Sequence, residues 1–285
     1  MFNYDGAHAL IRKARSSTIR NSINSRELLE ACLAAVWGPA RQKGASVLMY
    51  HRFHPSEPAK WTVTTAVFER QLQWLLAHHY RFERLRAVVS SHLGSSTIPL
   101  QHTVALSVDD GDRSIYTEMY PLIRRYCVPV TLFIYPSTIS VTPGFLSWEE
   151  LDEMIRSGYV DVQSHSLTHP SFREERARRS PADFLTFLDC ELSQSRTWLA
   201  GQLGTKIDLL AWPHGVHDAE MEEVAARTGY VAAFGVKQRS KPAANRFAIP
   251  RVHVADRHQA NRLGVRLAMA EQLHMHCYAD GARLR

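Results

Sequence analysis

The chain has 285 residues, 45% of them hydrophobic, enough for one large α/β domain or two small ones around a sizeable buried core. Its formal charge of +6 comes from basic residues scattered along the chain, with short clusters only at Arg12-Lys13-Ala14-Arg15 and Arg173 to Arg179, so no nucleic-acid partner is indicated. Cys32, Cys127, Cys190 and Cys277 lie far apart and read as reduced thiols, and no apolar run reaches the length of a signal peptide or a membrane span, so the chain reads as cytoplasmic with no transmembrane segment.

Residues 1–44 have mixed polarity and a helix-like stretch from Ser25 to Val36, then a Gly38-Pro39 break, and are expected to form an N-terminal helical appendage. From Ser46 onward short apolar runs alternate with amphipathic segments, the pattern of βα units around a parallel sheet or barrel. The expected strands are Val47 to Tyr50, Val104 to Val108, Val130 to Tyr135, Val160 to Gln163, Ile207 to Trp212 and Val231 to Val236. Between them, Ser147-Trp148-Glu149-Glu150 has the form of a capping box, its helix closed by Gly158. Ser180-Pro181 opens a helix expected to run to about Gly201, and Asp218 caps a third closed by Gly229. In a βα barrel the residues just past each strand converge on one face. The polar residues at those ends are His51, Asp109 and Asp110, His165 and His169, and the Pro213 to Gly215 segment.

Fifteen histidines is a high count, and histidine is the commonest metal ligand. Ser107-Val108-Asp109-Asp110-Gly111 puts two adjacent carboxylates at the end of an apolar strand, before a glycine that allows a sharp turn. Both stay ionised cheaply only with a cation or hydrogen bonds to compensate them; a strand-to-loop turn with an aspartate cap is the plainer alternative. Ser164-His165-Ser166-Leu167-Thr168-His169-Pro170 follows another strand, with spacing that lets two imidazoles face one point. Two histidines and one carboxylate make the three-ligand set of a catalytic zinc-type site with one position open.

Asp109-Asp110-Gly111 and His165 to Pro170, about fifty residues apart, resemble the first two motifs of the polysaccharide deacetylase family, carbohydrate esterase family four. Over Ser46 to Val254 the resemblance implies a distorted (β/α)7 barrel, with residues 45–285 as the deacetylase domain. It implies a metal-dependent N-deacetylase that releases acetate from N-acetylated sugars of a poly- or oligosaccharide. Asp109 would be the catalytic base, and Asp110, His165 and His169 would hold a divalent metal, zinc first, with cobalt, nickel or manganese as alternatives. Ser107-Val108 stands where the family has Thr-Phe, a mild departure.

Ala211-Trp212-Pro213-His214-Gly215 occupies the place of the family's Arg-x-Pro-Tyr-Gly. There the backbone amide at the tyrosine position serves the oxyanion, a role His214 can fill, but Ala211 cannot replace the arginine that holds the base. Arg251, in Ile249-Pro250-Arg251-Val252, is the candidate replacement, with a surface arginine as the other reading. The family's closing Leu-x-His strand, which supplies the general acid, is found at the front as Val47-Leu48-Met49-Tyr50-His51. This resembles the circularly permuted branch that includes poly-N-acetylglucosamine deacetylases. His51 is then the expected acid and His253 the alternative, while a buried strand histidine is the plain reading of both. Trp212, Tyr135 and Trp148 lie near expected strand ends and are candidates for stacking on sugar rings. Two rivals stay open: a hydrolase of small non-peptide amides on the same barrel, and a carbohydrate-binding protein without catalysis, suggested by the missing arginine.

Overall fold

The computed structural model describes residues 45–93, 95, 100–236, 245–256, 263 and 267. The helix expected around Ser25 to Val36 therefore lies outside the described residues. Within them the alternation of apolar runs becomes eleven strands: β1 (Ser46–Tyr50), β2 (Arg52–His54), β3 (Thr62–Thr64), β4 (Arg81–Phe82), β5 (Thr103–Asp110), β6 (Val130–Ile134), β7 (Val160–Ser164), β8 (Leu209–Ala211), β9 (Ala232–Gly235), β10 (Ile249–Pro250) and β11 (Val252–His253). Seven α-helices of the described residues are α1 (Thr65–Ala77), α2 (Leu85–His92), α3 (Tyr120–Tyr126), α4 (Trp148–Arg156), α5 (Phe172–Arg178), α6 (Pro181–Leu203) and α7 (Ala219–Arg227). None of them is long and apolar enough to cross a membrane.

The main sheet is parallel throughout and runs β10-β9-β8-β7-β6-β5-β1-β11, with β4 added beside β5. The two ends of that path are consecutive in sequence. Ile249 pairs with Phe234 on one edge, Val252 pairs with Leu48 on the other, and Arg251 sits between them. Counted once, the 249–253 segment is a single stave joining both edges, which gives seven staves and the nearly closed distorted (β/α)7 barrel expected of the sequence. β2 and β3 form a separate two-stranded ribbon.

Alternation along the strands divides the side chains into two sets. Val47, Ala105, Phe133, Leu209, Ala211, Ala232 and Phe234 pack with one another inside the barrel, joined by Leu85, Val88 and Val89 of α2. The other parity, including Leu48, Val108, Leu132, Val162, Leu210 and Trp212, packs outward against the helices.

The helix ends follow the expected chemistry. Ser147 and Glu150 form the reciprocal capping box of α4, and Ser180 and Asp218 cap α6 and α7 through Asp183 N and Met221 N. Such caps contribute about 1 kcal/mol each. α6 runs past Gly201 to Leu203 and is closed by Gly204. The strand expected from Ile207 starts only at Leu209, because Gln163 Oε1 accepts the amides of Asp208 and Leu209 at 3.0 and 2.9 Å and so takes donors a ladder would use.

Candidate active site

Register and parity bring the motif residues together. Met49 pairs with Ser107, Asp109 with Phe133, and Phe133 with Gln163. His51, Asp109, Tyr135 and His165 therefore continue the inward-facing columns of four neighbouring strands at the carboxyl rim of the barrel. Asp110 would alternate outward, but its φ of +78° breaks the alternation and lets two consecutive carboxylates face one imidazole. His165 Nε2 lies 3.8 Å from Asp109 Oδ2 and 3.6 Å from Asp110 Oδ1. Gly111 follows at φ +90°, where a Cβ would meet Ile139 and Ile134 at 3.2 and 3.3 Å, so the turn after the carboxylates needs glycine.

Asp110, His165 and His169 are the one group of three among the described His, Cys, Asp and Glu residues whose ligand atoms fall within 4.8 Å of one another. Asp110 Oδ1 lies 3.6 Å from Nε2 of both histidines. The donor chemistry fits a divalent cation. His165 Nδ1 lies 2.8 Å from the Ala211 carbonyl, which can only accept, so Nδ1 carries the hydrogen and the Nε2 lone pair faces the carboxylates. Burial, reinforced by His169, pushes His165 down to about 3; burial and then His214 push His169 down to about 4, so both are neutral at physiological pH, the form in which imidazole can bind a metal. Burial and the adjacent Asp109 push Asp110 up to about 7, and a cation is what favours its ionised form.

Asp109 is clamped separately. Arg251 Nη1 donates to Oδ1 at 2.6 Å and Nη2 to Oδ2 at 2.7 Å, a bidentate pair with both side chains fully enclosed. Nη1 also reaches Ser107 Oγ at 3.2 Å, and the guanidinium lies over the Phe133 ring. Burial alone would raise the Asp109 carboxyl, but the Arg251 charge, helped by His165 and His51, overrides it and brings the group to about 2. The arginine absent at Ala211 is thus supplied from the barrel seam.

On the other side of the site, the His51 ring lies 4.7 Å from Trp61 and 6.1 Å from His253, and Trp61 lies 4.5 Å from His253. Burial lowers the His51 pKa, Asp109 raises it in part, and Arg251 and Arg52 lower it further. Trp61 carried no signal in the sequence; it stands just before β3, where its carbonyl accepts from Arg52 N, the residue after His51. His214 is exposed, its ring 4.7 Å from His169, in a turn with φ +55°. That turn's bonds, Gly215 N to Trp212 O and Val216 N to Pro213 O, do not use the His214 amide. A Cβ on Gly215 would meet Val236 at 2.8 Å, so the turn is packed too tightly for another residue.

Of the aromatic candidates, Tyr135 stands 5.1 Å from His169, ring to ring, and borders the ligand set. Trp148 packs against the core at the start of α4. Trp212 is a correction: its indole is fully buried, 6.4 Å from Phe172, with Nε1 donating to the Phe247 carbonyl, so it cannot stack on a sugar. Trp212 falls on the outward parity, one residue past the inward Ala211.

Fold and site together define a parallel α/β barrel with a His-His-Asp metal-type cluster at its carboxyl rim. The polysaccharide deacetylase family model matches residues 98–233 of the chain. A Staphylococcus epidermidis protein described as poly-beta-1,6-N-acetyl-D-glucosamine N-deacetylase is 25% identical over 241 residues, covering 75% of this chain and 80% of its own. A Staphylococcus aureus protein of the same description is 24% identical. Among solved structures, IcaB from Ammonifex degensii superposes with a TM-score of 0.69 at 23% identity, over 79% of this chain and 97% of its own. A de-N-acetylase from Aggregatibacter actinomycetemcomitans gives 0.69 at 20% identity, over 78% and 99%; both share the fold.

Proposed function

We propose that the chain is a divalent-metal-dependent N-deacetylase that hydrolyses the acetamido group of N-acetylated sugars in a poly- or oligosaccharide and releases acetate. Poly-beta-1,6-N-acetylglucosamine, named for the Staphylococcus relatives, is the first polymer to test. The observation that carries the reading is one metal-type donor set beside a carboxylate with its own counter-charge: ligand atoms within 4.8 Å, and Asp109 bound bidentately by Arg251. That pair also weighs against a merely carbohydrate-binding protein, since it restores what Ala211 lacks.

Asp110, His165 and His169 would hold the metal, zinc first. When bound, a divalent cation polarises an acetamido carbonyl and acidifies a nearby water. Asp109, ionised across the physiological range, accepts the proton of the attacking water. Arg251 keeps it charged and fixes its rotamer. The His214 amide, not engaged in its own turn, donates to the developing oxyanion. His51 protonates the departing nitrogen; because burial lowers its pKa, its protonated form is the stronger acid toward that nitrogen. Tyr135 borders the ligand set and contributes an aromatic edge for the sugar.

Acetate release from N-acetylated β-1,6-glucosamine oligomers tests the proposal. Activity should vanish with a chelator and return with zinc. Zinc-loaded, folded protein that releases no acetate from any N-acetylated oligosaccharide would reject it.

A further inference from the structure

The loop between the two histidines is held from outside by a residue no motif contains. Glu191, near the middle of α6, is 4% exposed, and its carboxylate is used by that loop alone. Oε2 accepts from Leu167 N and Thr168 N, both at 3.0 Å, and Oε1 accepts from Thr168 Oγ1 at 2.6 Å. Among the described residues no cation pairs with it, so these three neutral donors are what compensates a buried negative charge. In turn, Leu167 and Thr168 are two of the three residues that separate His165 from His169. The step from His165 to His169 contains two non-glycine residues in the left-handed region, Ser166 at φ +66° and His169 at φ +57°. Side chains rarely adopt that conformation without outside support. Ser166 Oγ, accepting from His169 N at 3.1 Å, braces the turn locally. The Glu191 carboxylate braces it from the helix layer, and a carboxylate that receives two adjacent amides fixes the peptide planes between the histidines.

We infer that Glu191 is a positioning residue for the metal centre: through Leu167 and Thr168 it sets where His169 Nε2 stands relative to His165 and Asp110, and hence the affinity and geometry with which a divalent cation is held. The inference rests on the reading of His165 and His169 as ligands, and its test separates the two. Zinc affinity is measured by competition with a chromophoric chelator, and coordination geometry from the visible absorption of the cobalt-loaded protein.

Glu191→Leu should weaken zinc binding about 10–100-fold, the usual effect of losing an outer support of a ligand, and should alter the cobalt spectrum while the fold persists. Glu191→Gln, whose amide oxygen accepts both backbone N–H groups and whose amide nitrogen donates to the Thr168 hydroxyl, should bind near the wild-type value. Thr168→Val, which removes one donor without touching α6, should show a smaller loss in the same direction, and it decides the matter if Glu191→Leu does not fold. His169→Ala reports on the ligand itself. If that variant keeps wild-type affinity, the ligand reading fails. If it loses zinc while Glu191→Leu, or Thr168→Val where Leu is unstable, keeps wild-type affinity and spectrum, the positioning role alone is wrong.

Discussion

The two halves of the site are built by different means. On the β5–β7 side nearly every functional atom is bound by a hydrogen bond that leaves it one orientation: Arg251 forks onto Asp109, the Ala211 carbonyl fixes the His165 tautomer, and Ser166 and Glu191 hold the loop. On the β1–β11 side His51 lies among the rings of Trp61 and His253, and among the described residues nothing lies within hydrogen-bond reach of its buried Nδ1. The difference suits the two tasks. In the proposed mechanism a metal and a base must stand still to define the attacking water, whereas an acid that takes up and releases a proton benefits from a surround that does not lock one protonation state.

Substitutions can break this contrast. The largest expected effect is from His165→Ala, which should empty the centre of metal and bring deacetylation to background. Elemental analysis is the check, and a stoichiometric ion retained by the variant would remove His165 from the ligand set. Next, Asp109→Asn should lower turnover by about 10²–10⁴-fold at normal metal content, for N-acetyl sugars and aryl acetate esters alike, because the attacking water needs a base in both. His51→Ala should behave differently, with a comparable loss on N-acetyl sugars and a much smaller one on the aryl ester, whose leaving group needs no proton. Equal losses on both substrates would refute its role as acid.

Arg251→Met tests the clamp. Removing one partner of a buried ion pair costs about 3–5 kcal/mol, visible as a lower melting temperature. Its pH effect has a definite sign. The guanidinium lowers the Asp109 pKa against burial, so without it burial prevails, the pKa rises, and the acid limb of the pH–rate profile moves to higher pH. An unmoved limb would mean that Arg251 does not tune the base. Smallest of all, Trp61→Leu removes ring contacts worth about 0.5–1.5 kcal/mol and should lower turnover modestly while zinc affinity stays at the wild-type value. A change in zinc affinity would show that the two halves are not independent.

Much of this was legible in the residues. Asp109-Asp110-Gly111 and the His165–His169 spacing are local, and the helix caps are chemical signatures of three or four adjacent residues; the structure forms each of them. Arg251 could be named because a charge was missing at Ala211, but its position depends on barrel closure, which brings it to a carboxylate 142 residues away in sequence. Trp61 and Glu191 left no signal, since each matters only through contacts made in space: a ring beside a histidine from another strand, and a carboxylate beneath a loop 23 residues away. Trp212 is aromatic and near a strand end, yet its parity turns it away from the site. Counting alternate residues from Asp109 and Ala211 assigns it to the helix layer.

The seam of the barrel couples assembly to chemistry. Asp109 is enclosed by its neighbouring strands, but its guanidinium arrives on the short stave that joins the first strand edge to the last. Until that stave docks, the aspartate has burial without a counter-charge and prefers to keep its proton. Barrel closure and ionisation of the proposed base are thereby linked, and a chain with an open seam should be hydrolytically silent.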